Sequence, residues 1–190
     1  MDVKGFTERV NGADWQRFDD AEYFKFRFDG INSFAQTVPP TLIALALADK
    51  ESDEQINMKS LKKQGISRAD FIANYPIGSS VRFAIGNDHR GTYYPVIREA
   101  LPFIIEVALY GNHAVARACA IDTLVDLHCF EPEVCGIDSK DDLDELLRFV
   151  RKSISDVVSA QRNSFMQFAV DDKRNKMLIE QLFSYCDKEG

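Results

Sequence analysis

Residues 92–128, TYYPVIREALPFIIEVALYGNHAVARACAIDTLVDLH, carry the pattern that decides the fold of this chain. In the first half, apolar residues recur at steps of three and four, which is the spacing of one face of an α-helix. They are Ile97, Leu101, Ile104 and Ala108. A second apolar row runs beside the first, so we expect this helix to be buried on two sides. Gly111 then predicts the end of the helix, and a second helix follows after a tight turn.

The loop NDHRGTYYP before this helix is predicted to start the helix and not to carry out catalysis. Thr92 is expected to accept hydrogen bonds from free N–H groups of the first turn, and Gly91 can take backbone angles that other residues resist. We expect His89 to bind a neighbouring carbonyl, and Tyr93 and Tyr94 to pack on the preceding helices. Pro102 lies further along and predicts a kink, because it removes one intrahelical hydrogen bond.

Helical spacing also occurs on both sides of this region. Because proline is tolerated in a first helical turn, Pro39 and Pro40 predict the start of the helix TLIALALADK. Ser79 or Ser80 is expected to cap the short helix VRFAIG. A long amphipathic helix is predicted from Leu143, Leu146, Leu147, Val150, Ile154, Val157 and Val158. A final helix is expected to carry Met177, Leu178, Leu182 and Phe183 as its apolar residues.

The first 33 residues are aromatic and are predicted to form an irregular N-terminal segment. In FKFRF the phenylalanines alternate with basic residues, which predicts an extended segment lying over the first helix. Strand signals are almost absent elsewhere, so the chain is predicted to be all-α. We expect one domain, residues 1–190, built from stacked antiparallel helix pairs. The pairs are predicted around residues 38–64, 92–128 and 140–186.

The stretch GNDHRGTYYPVIREALPFIIEVAL resembles a motif of a broad family of bacterial HEAT-like proteins. The residues that carry the resemblance are His89, Gly91, Thr92, Tyr94, Ala100, Pro102 and Phe103. Trp15, Gly30 and Val38-Pro39 are similar to features upstream of that motif. Arg90 stands where the family pattern has glutamine, and the chain diverges beyond about residue 130. The similarity therefore covers residues 15–128; residues 34–128 form the best-matching repeats and 139–190 the C-terminal helices.

This resemblance implies a HEAT-like α-solenoid and a protein that acts by binding. Members of the family look like cytoplasmic immunity proteins, which neutralise a cognate polymorphic or contact-dependent toxin. By this analogy the chain is expected to have no catalytic residues and no cofactor. Its expected partner is a basic toxin domain, such as a nuclease. Two alternatives remain open at this point: a general protein-binding scaffold or regulator, and a HEAT-like DNA glycosylase.

The charge of the chain is concentrated in one segment, Asp122–Glu145. It contains nine acidic residues and one basic residue, Lys140, and so has a net charge of −8 in a chain whose net charge is −7. The acids are Asp122, Asp126, Glu131, Glu133, Asp138, Asp141, Asp142, Asp144 and Glu145. One interpretation is a solvated region whose acids favour helix starts. The other is a surface that attracts a basic partner and accelerates association, and we take these nine acids as the predicted partner-binding residues.

Composition disfavours several other classes of function. An acidic surface repels nucleic acid, so direct nucleic-acid binding is not expected. No apolar run approaches the roughly 20 residues that span a bilayer, and the start lacks the apolar stretch of a secretory signal, so a cytoplasmic location is expected. The four cysteines fit no common zinc spacing and are expected to be reduced thiols. No nucleophilic triad motif or phosphate-binding loop is present in the sequence.

Overall fold

A computed structural model describes residues 1–19, 33–49, 77–86, 93–131, 140–170 and 173–188. Within these ranges the chain forms helices and no strand, which confirms the all-α prediction. The helices are α1 (Val3–Gly12), α2 (Gln16–Asp19), α3 (Phe34–Leu47), α4 (Ile77–Ile85), α5 (Ile97–Tyr110), α6 (Ala114–Cys129), α7 (Lys140–Ala160), α8 (Arg162–Phe168) and α9 (Lys173–Cys186). Among the described helices, none has the length and apolar character needed to cross a membrane.

The N-terminal segment is helical in its first part, so the prediction of an irregular segment over residues 1–33 is wrong for α1 and α2. Asp2 caps α1 by accepting a hydrogen bond from the backbone N–H of Lys4 at 3.1 Å. Phe6 is fully buried and meets Phe103 of α5 edge to face. Helix α1 has few apolar residues, so its helical character comes from its cap and this contact more than from a long apolar row. The FKFRF segment lies outside the described residues.

Helix α3 begins at Phe34, five residues before the first of the prolines that were predicted to start it. Its first-turn N–H groups are satisfied by side chains: Ser33 accepts one at 3.2 Å, and the Asp19 carboxylate accepts that of Phe34 at 2.6 Å. This capping fixes the start of the helix ahead of Pro39 and Pro40, which then lie in its second turn. Capping by a residue fifteen positions upstream was not visible in the local pattern.

Gly86 and Tyr94 bring the end of α4 close to the start of α5. Gly86 ends α4 with a positive φ of 98°, and the N–H of Tyr94 donates to the carbonyl of Ile85 at 3.2 Å. Ser79 and Ser80 lie inside α4, so neither is its N-terminal cap. Helix α5 begins only at Ile97, without a side-chain cap.

Thr92 was predicted to cap α5, but the helix begins only at Ile97 and has no side-chain cap among the described residues. The first hydrogen bonds of α5 go to backbone carbonyls of residues 94–96 instead. Because α5 is buried on several sides, its packing can hold this start without a capping side chain. Thr92 itself, with His89 and Gly91, lies outside the described residues. Pro102 lies inside α5, which continues through it to Tyr110.

Helix α6 occupies the centre of the fold. It packs against α3, α4, α5, α7 and α9, and apolar side chains from α1 through α9 form one connected core. Gly111 ends α5, as predicted, but with a negative φ. A Cβ at Gly111 would lie 2.7 Å from the carbonyl oxygen of Val107, so the close turn requires glycine. A repeat array has contacts mainly between neighbouring repeats, whereas α6 contacts five of the other described helices.

The C-terminal helices cover one side of α6. The predicted apolar residues of α7 are buried or, for Val157, half-buried, which confirms that amphipathic pattern. In α9, Leu182 is fully buried, but Met177 is 60% exposed and is not part of the core. Ile179 and Cys186 are buried instead, because α9 turns a slightly different face to α6 than its apolar residues suggested. Helix α8 was not predicted.

Candidate functional site

The nine predicted partner-binding acids do not form one continuous patch in the described residues. Asp122 and Asp126 lie on α6 and both contact the guanidinium of Arg82 on α4, each at 2.9 Å. The Arg82 side chain is only 7% exposed, so this three-residue cluster lies at a helix interface. These two carboxylates stabilise the packing of α4 on α6, which leaves them less able to attract a partner.

Three more of the predicted acids are accounted for near α7. Glu145 pairs with Arg98 of α5 at 2.8 Å, and Glu131 pairs with Arg151 at 2.6 Å. Asp142 is exposed in the first turn of α7, where a carboxylate favours the positive end of the helix. Glu133 and Asp138 lie outside the described residues. Of these three acids, Glu131 and Glu145 are in ion pairs and Asp142 lies at a helix start.

The remaining two acids, Asp141 and Asp144, lie at the rim of a groove along α7, which we call the α7 groove. Its volume is 1290 Å³. Leu147, Ser155, Val158 and Cys186 line it. The charged residues that line it are Glu131, Asp141, Asp144, Arg148, Arg151, Lys152, Asp156, Arg162 and Asp187. Residues from α7, α8 and α9, with Glu131 from the segment after α6 and Asp187 from the segment after α9, therefore meet here.

Most charges in the α7 groove are paired with each other. Lys152 pairs with Asp156 at 2.8 Å, and Arg162 binds Asp187 through two parallel hydrogen bonds of 2.9 Å. Those bonds hold the pKa of the Asp187 carboxyl below its usual value. Arg151 also donates to the carbonyls of His128 and Phe130, each at 3.1 Å, and so caps the end of α6.

After these pairs are counted, two acids and one base among the described residues keep unpaired charge in the groove. Within the described part of the chain, the carboxylates of Asp141 and Asp144 form no ion pair. The two lie three positions apart on α7, which places them on the same face of the helix. Arg148 is one turn further on, and only its Nε is engaged, by the carbonyl of Asp144 at 3.2 Å. The groove therefore presents a pair of exposed carboxylates beside a cation and an internally neutral wall.

A serine–histidine contact lies at the inner wall of the α7 groove. The Nε2 of His128 is 3.1 Å from the Oγ of Ser155, and the buried imidazole stacks on Tyr185. This is the spacing of a nucleophile and its base. Ser155 lies in the middle of α7, however, where backbone N–H groups are used within the helix and cannot stabilise an oxyanion. The contact serves to join α6 to α7. Burial also raises the pKa of the nearby Cys129 thiol, which makes it a poor nucleophile.

Tyr93 and Tyr94, from the loop that precedes α5, are buried and contact other helices. Tyr94 is 1% exposed and its ring lies 5.2 Å from that of Phe34 on α3, as expected for packing on a preceding helix. The Tyr93 hydroxyl donates to the carbonyl of Leu127 at 2.7 Å, and burial raises the pKa of Tyr93 above its usual value. Pro102 is exposed on α5. The prediction of packing on preceding helices is thus confirmed for Tyr94, whereas the Tyr93 hydroxyl bonds to the later helix α6.

The sequence analysis did not predict the arginines that pair with the acidic segment or line the α7 groove. Arg82, Arg148, Arg151 and Arg162 were not connected with the acidic segment, although each contacts or adjoins one of its residues or the groove. One signal was available: Arg82 interrupts the apolar run VRFAI, and a buried arginine needs an acidic partner. The partners of the other arginines depend on how α7 and α9 pack.

The described residues contain no cluster of three or more histidine, cysteine, aspartate or glutamate side chains placed to hold a metal ion. The cysteines among them, Cys119, Cys129 and Cys186, are not in disulfide bonds. Comparisons of the chain with protein-family models, with curated proteins and with solved structures found no match.

Proposed function

We propose that this protein is a cytoplasmic immunity protein that binds and neutralises a basic toxin domain, with the α7 groove as its docking surface. The observation that carries the proposal is the pair of exposed, unpaired carboxylates, Asp141 and Asp144, at the rim of a groove of 1290 Å³. The resemblance of residues 15–128 to HEAT-like immunity proteins supports the same function and a stacked arrangement of the helices.

The geometry of the groove favours recognition of a cationic segment. A lysine or arginine of the partner can bind both carboxylates, because residues three apart on a helix lie about 5–6 Å apart. Arg148 can donate to a carbonyl or carboxylate of the same partner. The walls are held by internal ion pairs, such as Arg162 with Asp187, so little side-chain conformational freedom is lost on binding.

The same charges disfavour the DNA glycosylase alternative. Binding to DNA requires lysines and arginines that are available to neutralise phosphates. In the α7 groove, Arg151, Lys152 and Arg162 are each bound to an acid. Arg148 alone would supply little affinity for a duplex. The scaffold alternative differs from immunity only in the partner, and the experiment below separates the two.

The test begins with the genes that flank the gene for this chain. Each flanking product is expressed in a bacterial host, alone and together with this protein, and growth is measured. We expect one product, with a basic domain, to stop growth alone and to be neutralised on co-expression. If no flanking product is toxic, or if a toxic one is not neutralised, the immunity proposal is refuted, and a non-toxic product that forms a complex would indicate a scaffold.

The role of the groove is tested by charge reversal. Asp141→Lys with Asp144→Lys should slow association with the partner by on the order of tenfold at low salt, and less at high salt, because exposed charges act mainly on the encounter rate. The control is Glu8→Lys with Asp14→Lys, on exposed acids of the N-terminal region, which changes the net charge equally. Equal effects of both pairs would show that net charge matters and the groove does not.

A further inference from the structure

A second groove lies between α8 and α9, and its character is apolar. We call it the α8–α9 groove; its volume is 530 Å³, and Met166, Val170, Ile179 and Phe183 line it. Met166 is 53% exposed and Val170 is 77% exposed. Such exposure of neighbouring large apolar side chains in a concave surface is typical of a site that binds an apolar group.

The two basic residues that line the α8–α9 groove, Arg162 and Lys176, are each paired with an acid. Lys176 and Glu180 form an exposed pair at 3.7 Å along α9, and Arg162 is bound to Asp187. No net charge therefore faces the groove from these residues. An apolar side chain can enter without leaving an ion unpaired, whereas a charged one would find no opposite charge.

Arg162 connects this groove with the α7 groove, because it lines both. Its guanidinium lies 4.1 Å from the centre of the Phe183 ring and holds the Asp187 carboxylate through two hydrogen bonds. Both contacts fix the position of the side chain. Arg162 thus forms a short ridge with the α7 groove on one side and the apolar α8–α9 groove on the other.

We propose that the two grooves form one composite site for an extended partner segment that carries basic residues at one end and a bulky aliphatic or aromatic side chain at the other. About 24 Å of α7 separates Asp144 from Ala160, so the two ends of the segment are about seven or more extended residues apart. The basic residues bind Asp141 and Asp144, and the apolar side chain crosses the Arg162 ridge into the α8–α9 groove. This inference rests on the proposed function for the α7 groove and adds the second half of the recognised chemistry. Burial of one large apolar side chain should raise affinity by about tenfold to a hundredfold.

Three synthetic peptides test the composite site with this protein alone. The first has arginines and lysines at one end and, about eight residues later, leucine and phenylalanine. The second has serines in place of the two apolar residues, and the third has glutamates in place of the basic ones. Binding is measured by fluorescence anisotropy, and the contacted residues are mapped by shifts in amide NMR spectra. We expect the first peptide to bind about tenfold or more tighter than the second, and the third to bind weakest.

Variants of exposed residues assign the apolar contact. Met166→Ser with Val170→Ser should remove the advantage of the first peptide over the second. Met177→Ser is the matched control, because Met177 is 60% exposed on α9 but does not line the groove. Since all three residues are exposed, we expect these variants to keep the fold, and circular dichroism checks this.

The possible failures are distinct. If the first and second peptides bind the α7 groove equally well, the composite site is refuted while a cation-binding α7 groove stands. If no peptide binds, the composite site is refuted, and the immunity proposal is judged by the growth experiment alone. If sedimentation shows a dimer that the Met166→Ser and Val170→Ser changes dissociate, the apolar groove is an interface between copies of this chain, and the proposal is overturned.

Discussion

Replacement of Gly86 by alanine should destabilise the protein strongly, because two separate costs apply at this position. The φ of Gly86 is 98°, a region that L-residues other than glycine enter at a cost of about 1–2 kcal/mol. The added Cβ would also lie 2.3 Å from Cδ2 of Tyr94 and 2.8 Å from its backbone nitrogen. Tyr94 is buried against Phe34, so its ring has little space to move.

Relief of that overlap requires a shift in packed structure, which typically costs about 1–3 kcal/mol. Together the two effects predict a loss of about 2–5 kcal/mol in the free energy of unfolding. For a chain of this length, that loss corresponds to a fall of roughly 5–15 °C in the melting temperature. Urea denaturation followed by circular dichroism measures the free energy directly, and thermal melts measure the temperature.

Gly12 provides the matched control for this prediction. It lies in α1, and a Cβ there would have nothing within 4 Å. Gly12→Ala should therefore stabilise the protein slightly, by at most about 1 kcal/mol, because alanine loses less backbone entropy in a helix. The same chemical change is thus expected to have opposite signs at the two positions. A Gly86→Ala protein within about 0.5 kcal/mol of the wild type would refute the reasoning.

Two further predictions concern buried polar groups. Arg82→Ala should lower the free energy of unfolding by about 2–3 kcal/mol. This is less than the full cost of breaking a buried ion pair, because its partners Asp122 and Asp126 are 39% and 26% exposed and solvent screens them. The control is Arg148→Ala, at an exposed position, which should lower the free energy of unfolding by no more than about 0.5 kcal/mol. Equal losses for the two variants in urea denaturation would contradict the prediction. Tyr93→Phe should cost about 1 kcal/mol near neutral pH through loss of the hydrogen bond to Leu127. Burial raises the pKa of Tyr93 above 10.0, so the unfolded chain loses this proton first, and wild-type stability should fall above about pH 10 by up to about 1.4 kcal/mol per pH unit. The Tyr93→Phe variant has no hydroxyl to titrate, so its stability should fall less above about pH 10. If the stability of both proteins falls equally with pH, this explanation is wrong.

The candidate site could be predicted from sequence only in part. The count of charges identified Asp141 and Asp144, which are the acids that remain unpaired in the described part of the α7 groove. It could not separate them from Asp122 and Asp126, which have the same residue type and are bound to Arg82. Arg162 and Asp187 lie 25 positions apart and were not predicted, since their contact depends on the packing of α8 on α9.

The sequence by itself determined the elements whose signals are local. The spacing of Leu143, Leu146 and Val150 specifies the buried face of α7, and Gly111 specifies the end of α5, because both effects act within a few residues along the chain. The tertiary structure alone decided that α6 lies at the centre and which acids remain unpaired. Those outcomes depend on which helix faces meet across tens of residues, and helical periodicity shows that a face is apolar without specifying which helix covers it.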